Sequence, residues 1–456
     1  MKKILHISIA VFFIFSTLLV TGCKKQQPGP PKPQVTLNYY RLFDDSDTMT
    51  PIIKAFEKEY PNITINYKKF TNVQELADLV VNEIAEDGGP DLFSLPNTWV
   101  KSNYKKITPA PSDLIPTEVY QNTFLDIAIQ DLIYGTGEKN APQIYGIPLS
   151  IDTLALYYNK DHFEKQLPER GKPGGTWAQL EQDIIKLRRI SNNNILQAGL
   201  ALGRADNVNS AIDIFYALLL QNGVDFYHNN NKTATFANTP ATKVANYFTS
   251  FAKVGTPYYT WTKDFIAPNQ EDQIDKFAKG EISMMFGYSH LYQDVINRIQ
   301  IAKQNSKPAI ELTDVRIANF PQLSTDPNDQ LAYSHYLVET VSRTSKHPRE
   351  AWAFLRFLVN QQNLQTFYKK AGFKPTSRRD LIETQRENAI YRPFIEQLGY
   401  ATSIPLVDDF KFQQIFTNAI TKINNGASTS DILKQAQQDI NQLIPSDGVE
   451  PPQAKL

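Results

Sequence analysis

Cysteine is almost absent: the 456-residue chain has one, Cys23. A lone thiol near the N-terminus excludes an internal disulfide and leaves the rest of the chain without thiolate chemistry. Net charge is absent too, with Lys plus Arg and Asp plus Glu at 47 each and no basic run beyond residues 24–34, so no nucleic-acid partner is expected. Histidine is sparse and scattered, at positions 6, 162, 228, 290, 335 and 347. With no His-Glu-x-x-His pattern, neither a metal nor a cofactor is expected. Gly-x-Ser-x-Gly is missing, and so is a phosphate-cradling glycine loop; Gly135 to Lys139 (GTGEK) has the wrong spacing for one and reads as a plain turn. Tryptophan is scarce, at 4, against 22 Tyr and 26 Phe, enough rings to fill cores and spare several for a ligand cleft.

Long hydrophobic runs are missing except at the start. Lys2 and Lys3 precede Ile4 to Val20, broken only by His6, Ser8, Ser16 and Thr17, and Leu19-Val20-Thr21-Gly22-Cys23 follows as a lipobox. Residues 1–22 therefore read as a lipoprotein signal peptide, with a diacylglycerol thioether on Cys23. The anchor would hold the protein on the extracytoplasmic face of the cell membrane, since two acyl chains bind far better than one. Residues 23–34 carry the lipidated cysteine and a proline-rich tether.

Beyond the tether the chain is long enough for two domains with sizeable cores. Val35, Leu37 and Tyr39 alternate as in a strand. Thr50-Pro51 reads as an N-cap with proline at the first helical position, and Ile52, Ile53, Phe56 and Tyr60 share a helix face. A strand over Ile63 to Tyr67 follows, then a helix bearing Val73, Leu76, Val80 and Ile84, and a strand over Asp91 to Leu95. Strand and helix in alternation predict an α/β fold with mostly parallel sheets, in which ligands collect at the carboxyl ends of strands. Further helices are expected at Ile212 to Gln221, after Pro348, and at Ile432 to Leu443; strands at Gly146 to Tyr158, Ile282 to Phe286 and Val315 to Phe320.

Tyr145 to Asp161 (YGIPLSIDTLALYYNKD) resembles a signature of the family 1 extracellular solute-binding proteins of ABC importers, the group that includes maltose-binding proteins. Other matches fall in order: Pro51 to Tyr60, Pro90-Asp91-Leu92, Gly175-Thr176-Trp177, Phe277 to Ser289, Ser345 to Leu358, Gly372 to Arg378 and Asn425-Gly426. Together they cover nearly all of residues 35–445. The resemblance implies a two-lobed periplasmic-binding-protein-like fold, each lobe a mostly parallel sheet flanked by helices, with a hinge between. Lobe 1 would take residues 35–150 with 320–372, and lobe 2 residues 151–319 with 373–456. A monomer is implied that captures a solute, most readily a sugar or oligosaccharide, and delivers it to the transmembrane subunits of a permease.

The resemblance also suggests where ligand would be held. Asp152 aligns with an acidic ligand contact, or it braces the hinge. Asn97 and Trp99 follow the third strand where the family places a polar and aromatic pair, although Trp99 also suits a core. Arg41 and Asp44 lie in the first strand-to-helix loop. Tyr288 and Ser289 stand where many sugar-binding relatives carry tryptophan. Arg204 and Asn207 precede the helix at Ile212, and Phe410 and Phe412 match a region that brings aromatics to sugar. Two alternatives stay open: a surface hydrolase acting on glycans through paired carboxylates such as Asp44 and Asp152, and a receptor for an anionic or phosphorylated solute, which would need Arg41 or Arg204 as a clamp.

Overall fold

A computed structural model describes residues 33–85, 88–136, 141–228, 232–266, 271–446 and 448. The signal peptide, Cys23 and nearly all of the tether lie outside the described residues, as does most of the Gly135 to Lys139 turn. The body from Val35 onward forms one compact unit. No helix among the described residues is long and apolar enough to cross a membrane.

The first three strands form where alternation predicts them. Val35–Leu42 buries Val35, Leu37, Tyr39 and Arg41 on one face, and pairs in parallel with Ile63–Phe70 over its whole length, Val35 opposite Ile63 and Leu42 opposite Phe70. Leu92–Pro96 pairs in parallel on its other side, Tyr39 opposite Leu92. Leu337–Val341 then pairs antiparallel with Leu92–Pro96 and with Ile147–Pro148, which completes a five-stranded sheet. A second sheet has three strands, with Ala155–Asn159 central between Met284–Gly287 and Val315–Ala318.

The α/β class holds, but the strand directions correct one expectation. Half the ladders of the first sheet are parallel, and both ladders of the second are antiparallel. All five residues of Ala155–Asn159 and all four of Met284–Gly287 are buried, so both strands read as continuous apolar runs of the kind usual in parallel sheets. Burial on both faces, not direction, produces that pattern.

Two boundaries differ instructively. The helix expected to start at Pro51 runs Ser46–Glu59, because Thr48 and Met49 are buried and draw an extra turn onto the core; Pro51 sits within it. The strand expected over Gly146 to Tyr158 is two strands in two sheets, Ile147–Pro148 and Ala155–Asn159, with residues 149–154 crossing between. Elsewhere the expected helices appear as Ala211–Gln221, Pro348–Leu358 and Thr429–Leu443, and Thr176 caps Trp177–Leu187 by accepting from the Gln179 amide. At Asn425-Gly426 the helix Asp409–Asn424 stops, with Gly426 at φ +93°, a backbone shape that glycine adopts without strain.

One buried network fastens the inserted strand. Tyr39 and Arg41, two residues apart, point to the same face of the sheet. The Tyr39 hydroxyl donates to Glu339 Oε2 at 2.6 Å, Ser94 Oγ donates to the same oxygen at 2.9 Å, and Arg41 Nη1 donates to Oε1. Glu339 is fully buried. Arg41 also grips Asp44 through Nε and Nη2 at 3.1 and 2.8 Å. Removing one partner of such a set strands a buried charge. Arg41→Met is expected to lower stability by about 3–5 kcal/mol in urea unfolding; a loss under about 1 kcal/mol would show that Glu339 finds its charge partner elsewhere.

Candidate functional site

The chain passes between the sheets at residues 149–154 and 319–336, and other segments pack beside those crossings. Ile151 and Ser150 bond Pro375 and Thr376, Thr153 bridges Ser334, and Ser334 N donates to Thr402 O at 2.7 Å. Several candidates meet here. Asp152 accepts from Ser289 N (3.2 and 3.0 Å), Ser289 Oγ (2.6 Å) and Thr153 N (3.0 Å), which occupies most of what a carboxylate can accept. Its backbone oxygen accepts from Ser334 Oγ at 2.7 Å. In this arrangement Asp152 and Ser289 brace the end of one strand against the start of another. Burial raises the Asp152 carboxyl above its ordinary range, opposed by the Ser289 bonds and the nearby His290.

Tyr288 is buried beside them, its hydroxyl donating to Asp213 at 2.8 Å and its carbonyl accepting from Tyr157 at 2.7 Å. His335 Nε2 stands 3.6 Å from the Asp409 carboxylate, within ion-pair range but beyond a hydrogen bond. Burial pushes the Asp213 carboxyl up to about 6, with Asp409 adding to the rise and His335 and the Tyr288 bond opposing it.

Asn97 joins the third strand to the second crossing. Its Oδ1 accepts from Tyr336 N at 3.0 Å and its Nδ2 donates to Asp131 at 3.0 Å; Asp131 also accepts from Tyr336 and Ser403 hydroxyls. Trp99, two residues on, packs edge-to-face with Phe410 at 5.7 Å. Phe410 keeps 40% of its surface exposed, whereas Phe412 is fully buried in the core near Phe226. That placement corrects the expectation that both phenylalanines face ligand: they lie two residues apart near the helix start and point to different surroundings.

The remaining candidates make no direct contact with Asp152 among the described residues, although Lys374 lies between Asp44 and Asp152 and its charge reaches both. Asn207 braces the loop at Trp261 to Lys263, donating to Thr262 O at 3.0 Å and accepting from Trp261 Nε1 at 2.9 Å. Arg204 is held by Asp206 through two bonds of 2.8 and 2.6 Å. Arg41 is held by Asp44 and Glu339, and Lys374 Nζ lies 3.6 Å from Asp44.

Trp99 also lines a pocket of about 360 Å³ that the sequence did not reveal. Phe93 and Leu95 of the third strand and Ala77 and Val80 of the helix Val73–Ala85 give it apolar walls. Gln74, Asp78, Asn103, Lys106 and Asp408 give it polar groups. These are partly ordered in advance: Gln74 donates to Asp78 at 2.7 Å and Lys106 to Asn103 at 2.8 Å. Burial lowers the Lys106 ammonium below its usual range. A signal was there to find, since Gln74, Ala77 and Asp78 fall at helical i, i+3, i+4 spacing, and Asn103 follows Trp99 by four. Asp408, distant in sequence, had none.

Two sheets, each part of a mixed α/β body and joined by crossing segments, are the architecture of the periplasmic-binding-protein class. The family described as bacterial extracellular solute-binding protein matches residues 51–385, and the chain belongs to it. Among curated relatives, a multiple sugar-binding protein of Streptococcus mutans is 21% identical over 381 residues, 78% of this chain and 79% of the relative. A putative binding protein of Brucella abortus is 23% identical over 386 residues, 84% of this chain and 86% of the relative. Among solved structures, the sugar-binding protein MalE of Xanthomonas citri superposes with a TM-score of 0.72 at 15% identity, covering 90% of this chain and 97% of that one. A cyclo/maltodextrin-binding protein complexed with maltotetraose gives 0.70 at 18% identity, covering 91% and 98%. At such identities the structures share the fold.

Asp213 offers a test of the buried group beside Tyr288. Its folded-state pKa lies above the ordinary carboxylate value, so the folded protein binds this proton more tightly than the unfolded chain. The stabilising contribution is complete below the unfolded pKa of about 4 and is lost as pH rises through about 6. Asp213→Asn, which keeps an acceptor for Tyr288, is expected to gain on the wild type by on the order of 2–3 kcal/mol as pH goes from about 4 to about 7. Urea unfolding across that range measures it, and a difference that stays flat with pH would contradict the assignment.

Proposed function

We propose that the protein is the lipid-anchored substrate-binding component of an ABC importer, taking a neutral sugar or oligosaccharide between two lobes and delivering it to permease subunits. The observation that carries the solute class is the Trp99 pocket. Sugars present hydroxyls that both donate and accept, and C–H faces that pack on aromatic rings. Trp99 supplies the ring, and Asp78, Asp408, Gln74, Asn103 and Lys106 supply acceptors and donors. The sugar-binding relatives and structural neighbours support the same reading.

The runner-up solutes fit less well. An anionic solute needs a free guanidinium, and Arg41 and Arg204 are both engaged by carboxylates. For the hydrolase reading, Asp44 is tied to Arg41 and Asp152 to Ser289, so neither carboxylate is poised as a free acid or base.

In this reading lobe 1 comprises residues 35–150 and 320–372 and lobe 2 residues 151–319 and 373–456. Ligand favours the closed form because only that form touches it from both sides. The remaining candidates, Asp152, Asn97, Phe410 and the Tyr288-Ser289 pair, would shape the wall at the crossings. The monomeric receptor, tethered at Cys23, stays concentrated near its permease.

Calorimetric titration of the full-length protein with maltotetraose, a monosaccharide panel and sugar phosphates tests the solute class. Saturable binding of a neutral sugar is expected, weakened about 10- to 100-fold by Trp99→Ala. Binding of phosphates alone would move the reading to an anionic solute, and glycoside turnover without binding would replace the receptor with a hydrolase. For the anchor, Cys23→Ser is expected to leave solute affinity unchanged while the protein loses its lipid and uptake falls. Full uptake by a released, unlipidated form would show that the anchor is dispensable.

A further inference from the structure

A second pocket, of about 390 Å³, lies at the far end of the second sheet, where Ala155–Asn159 ends. The crossing at Asp152 is at the opposite end of that strand, about 16 Å of strand away. Its floor is made by Asn159, His162, Gln197 and Gly280, and its rim by charged side chains.

The floor presents hydrogen-bond donors. Gln197 Nε2 donates to Leu187 O at 2.7 Å and Ser283 Oγ at 3.1 Å, and faces His162 Nδ1 at 3.4 Å. Ser283 Oγ, which accepts from Gln197, also lies within hydrogen-bond distance of His162 Nδ1, at 2.9 Å. The Gln197 amide nitrogen, which can only donate, faces Nδ1 and favours the tautomer in which Nδ1 accepts and the neutral imidazole carries its proton on Nε2. That nitrogen lies 3.6 Å from where a side chain on Gly280 would begin, and Asn159 Nδ2 lies 3.8 Å from the same point. Asn159 is 1% exposed and lines the pocket; its Oδ1 accepts from His162 N at 3.4 Å, and its Nδ2 donates in no hydrogen bond found among the described residues. A buried amide with an unused donor toward a cavity is an invitation to a ligand acceptor.

The rim decides the ligand's charge. Lys279 pairs with Glu271, Asp161 with Lys165, and Glu311 with Lys303. Arg189 and Asp314 line the same pocket and make no ion pair among the described residues. One cation and one carboxylate are thus left over on one cavity whose floor donates. A simple anion would meet Asp314, and a simple cation would meet Arg189. We propose that this pocket is a second binding site, for a small zwitterion whose carboxylate sits on Arg189, His162 Nε2 and Asn159 Nδ2 and whose ammonium faces Asp314.

The site is independent of the solute pocket at Trp99, so the two readings fail separately. In full-length protein labelled with ¹⁵N in its histidine rings, glycine or L-glutamine is expected to shift the His162 Nε2 resonance saturably. Acetate and methylammonium should bind at least about tenfold more weakly, and Arg189→Ala and Asp314→Asn should each weaken the zwitterion by about tenfold, because each removes a charge-assisted contact. Both side chains are at the rim, so folding and sugar binding should be unchanged in the variants. No saturable shift with either amino acid would overturn the site, and acetate binding as tightly as glycine would overturn the zwitterion.

Discussion

Everything in this molecule depends on one strand that enters the first sheet from the wrong direction. Leu337–Val341 lies antiparallel between Leu92–Pro96 and Ile147–Pro148, so the chain must leave the first sheet, build the second, and return to the middle of the first. The return is locked by Glu339, which takes Tyr39, Ser94 and Arg41 as partners in a fully buried setting. A buried carboxylate tolerates that position only with its charge neutralised and its lone pairs filled, which fixes register as well as direction.

The crossings that this return demands bring distant residues together. Asp152 and Ser289, Asn97 and Tyr336, His335 and Asp409 meet because segments 149–154 and 319–336 run side by side, with 372–378 and 401–407 packed against them. Many of the polar groups here are spent on one another. Arg41, Asp152 and Asn97 have their hydrogen-bonding capacity engaged by the protein, so they position the wall more than they wait for a solute. Trp99 and the polar side chains beside it, by contrast, line open space.

Much of the fold was legible in the sequence, and the reasons are physical. Residues 35–96 alternate strand and helix with clean periodicity, and each of those elements formed within a few residues of its expected place, whereas the short helices from Asn97 to Leu132 were not foreseen. Direction in the second sheet was not legible, because burial on both faces erases alternation whichever way a strand runs. The stretch from Gly146 to Tyr158 looked like one strand because both halves are apolar; that they belong to different sheets depends on contacts with Ser334 and Thr376, far along the chain. Trp99, singled out through its place after the third strand and the family resemblance, lines the first pocket. Asp78 and Lys106 were missed because polar residues on helical faces normally face solvent, and Asp408 because nothing local marks it. Phe410 and Phe412 show the limit of proximity in sequence, since one keeps surface and the other fills the core.

The central claim is that a solute is held against Trp99, between the helix Val73–Ala85 and the segment at Val407-Asp408. A crystal structure of the protein grown with a sugar that binds it tests this most directly. The account predicts a sugar ring lying on the Trp99 indole, with hydroxyls bonded to Asp78 or Asp408. Sugar density elsewhere, with the Trp99 pocket holding only water, would contradict it.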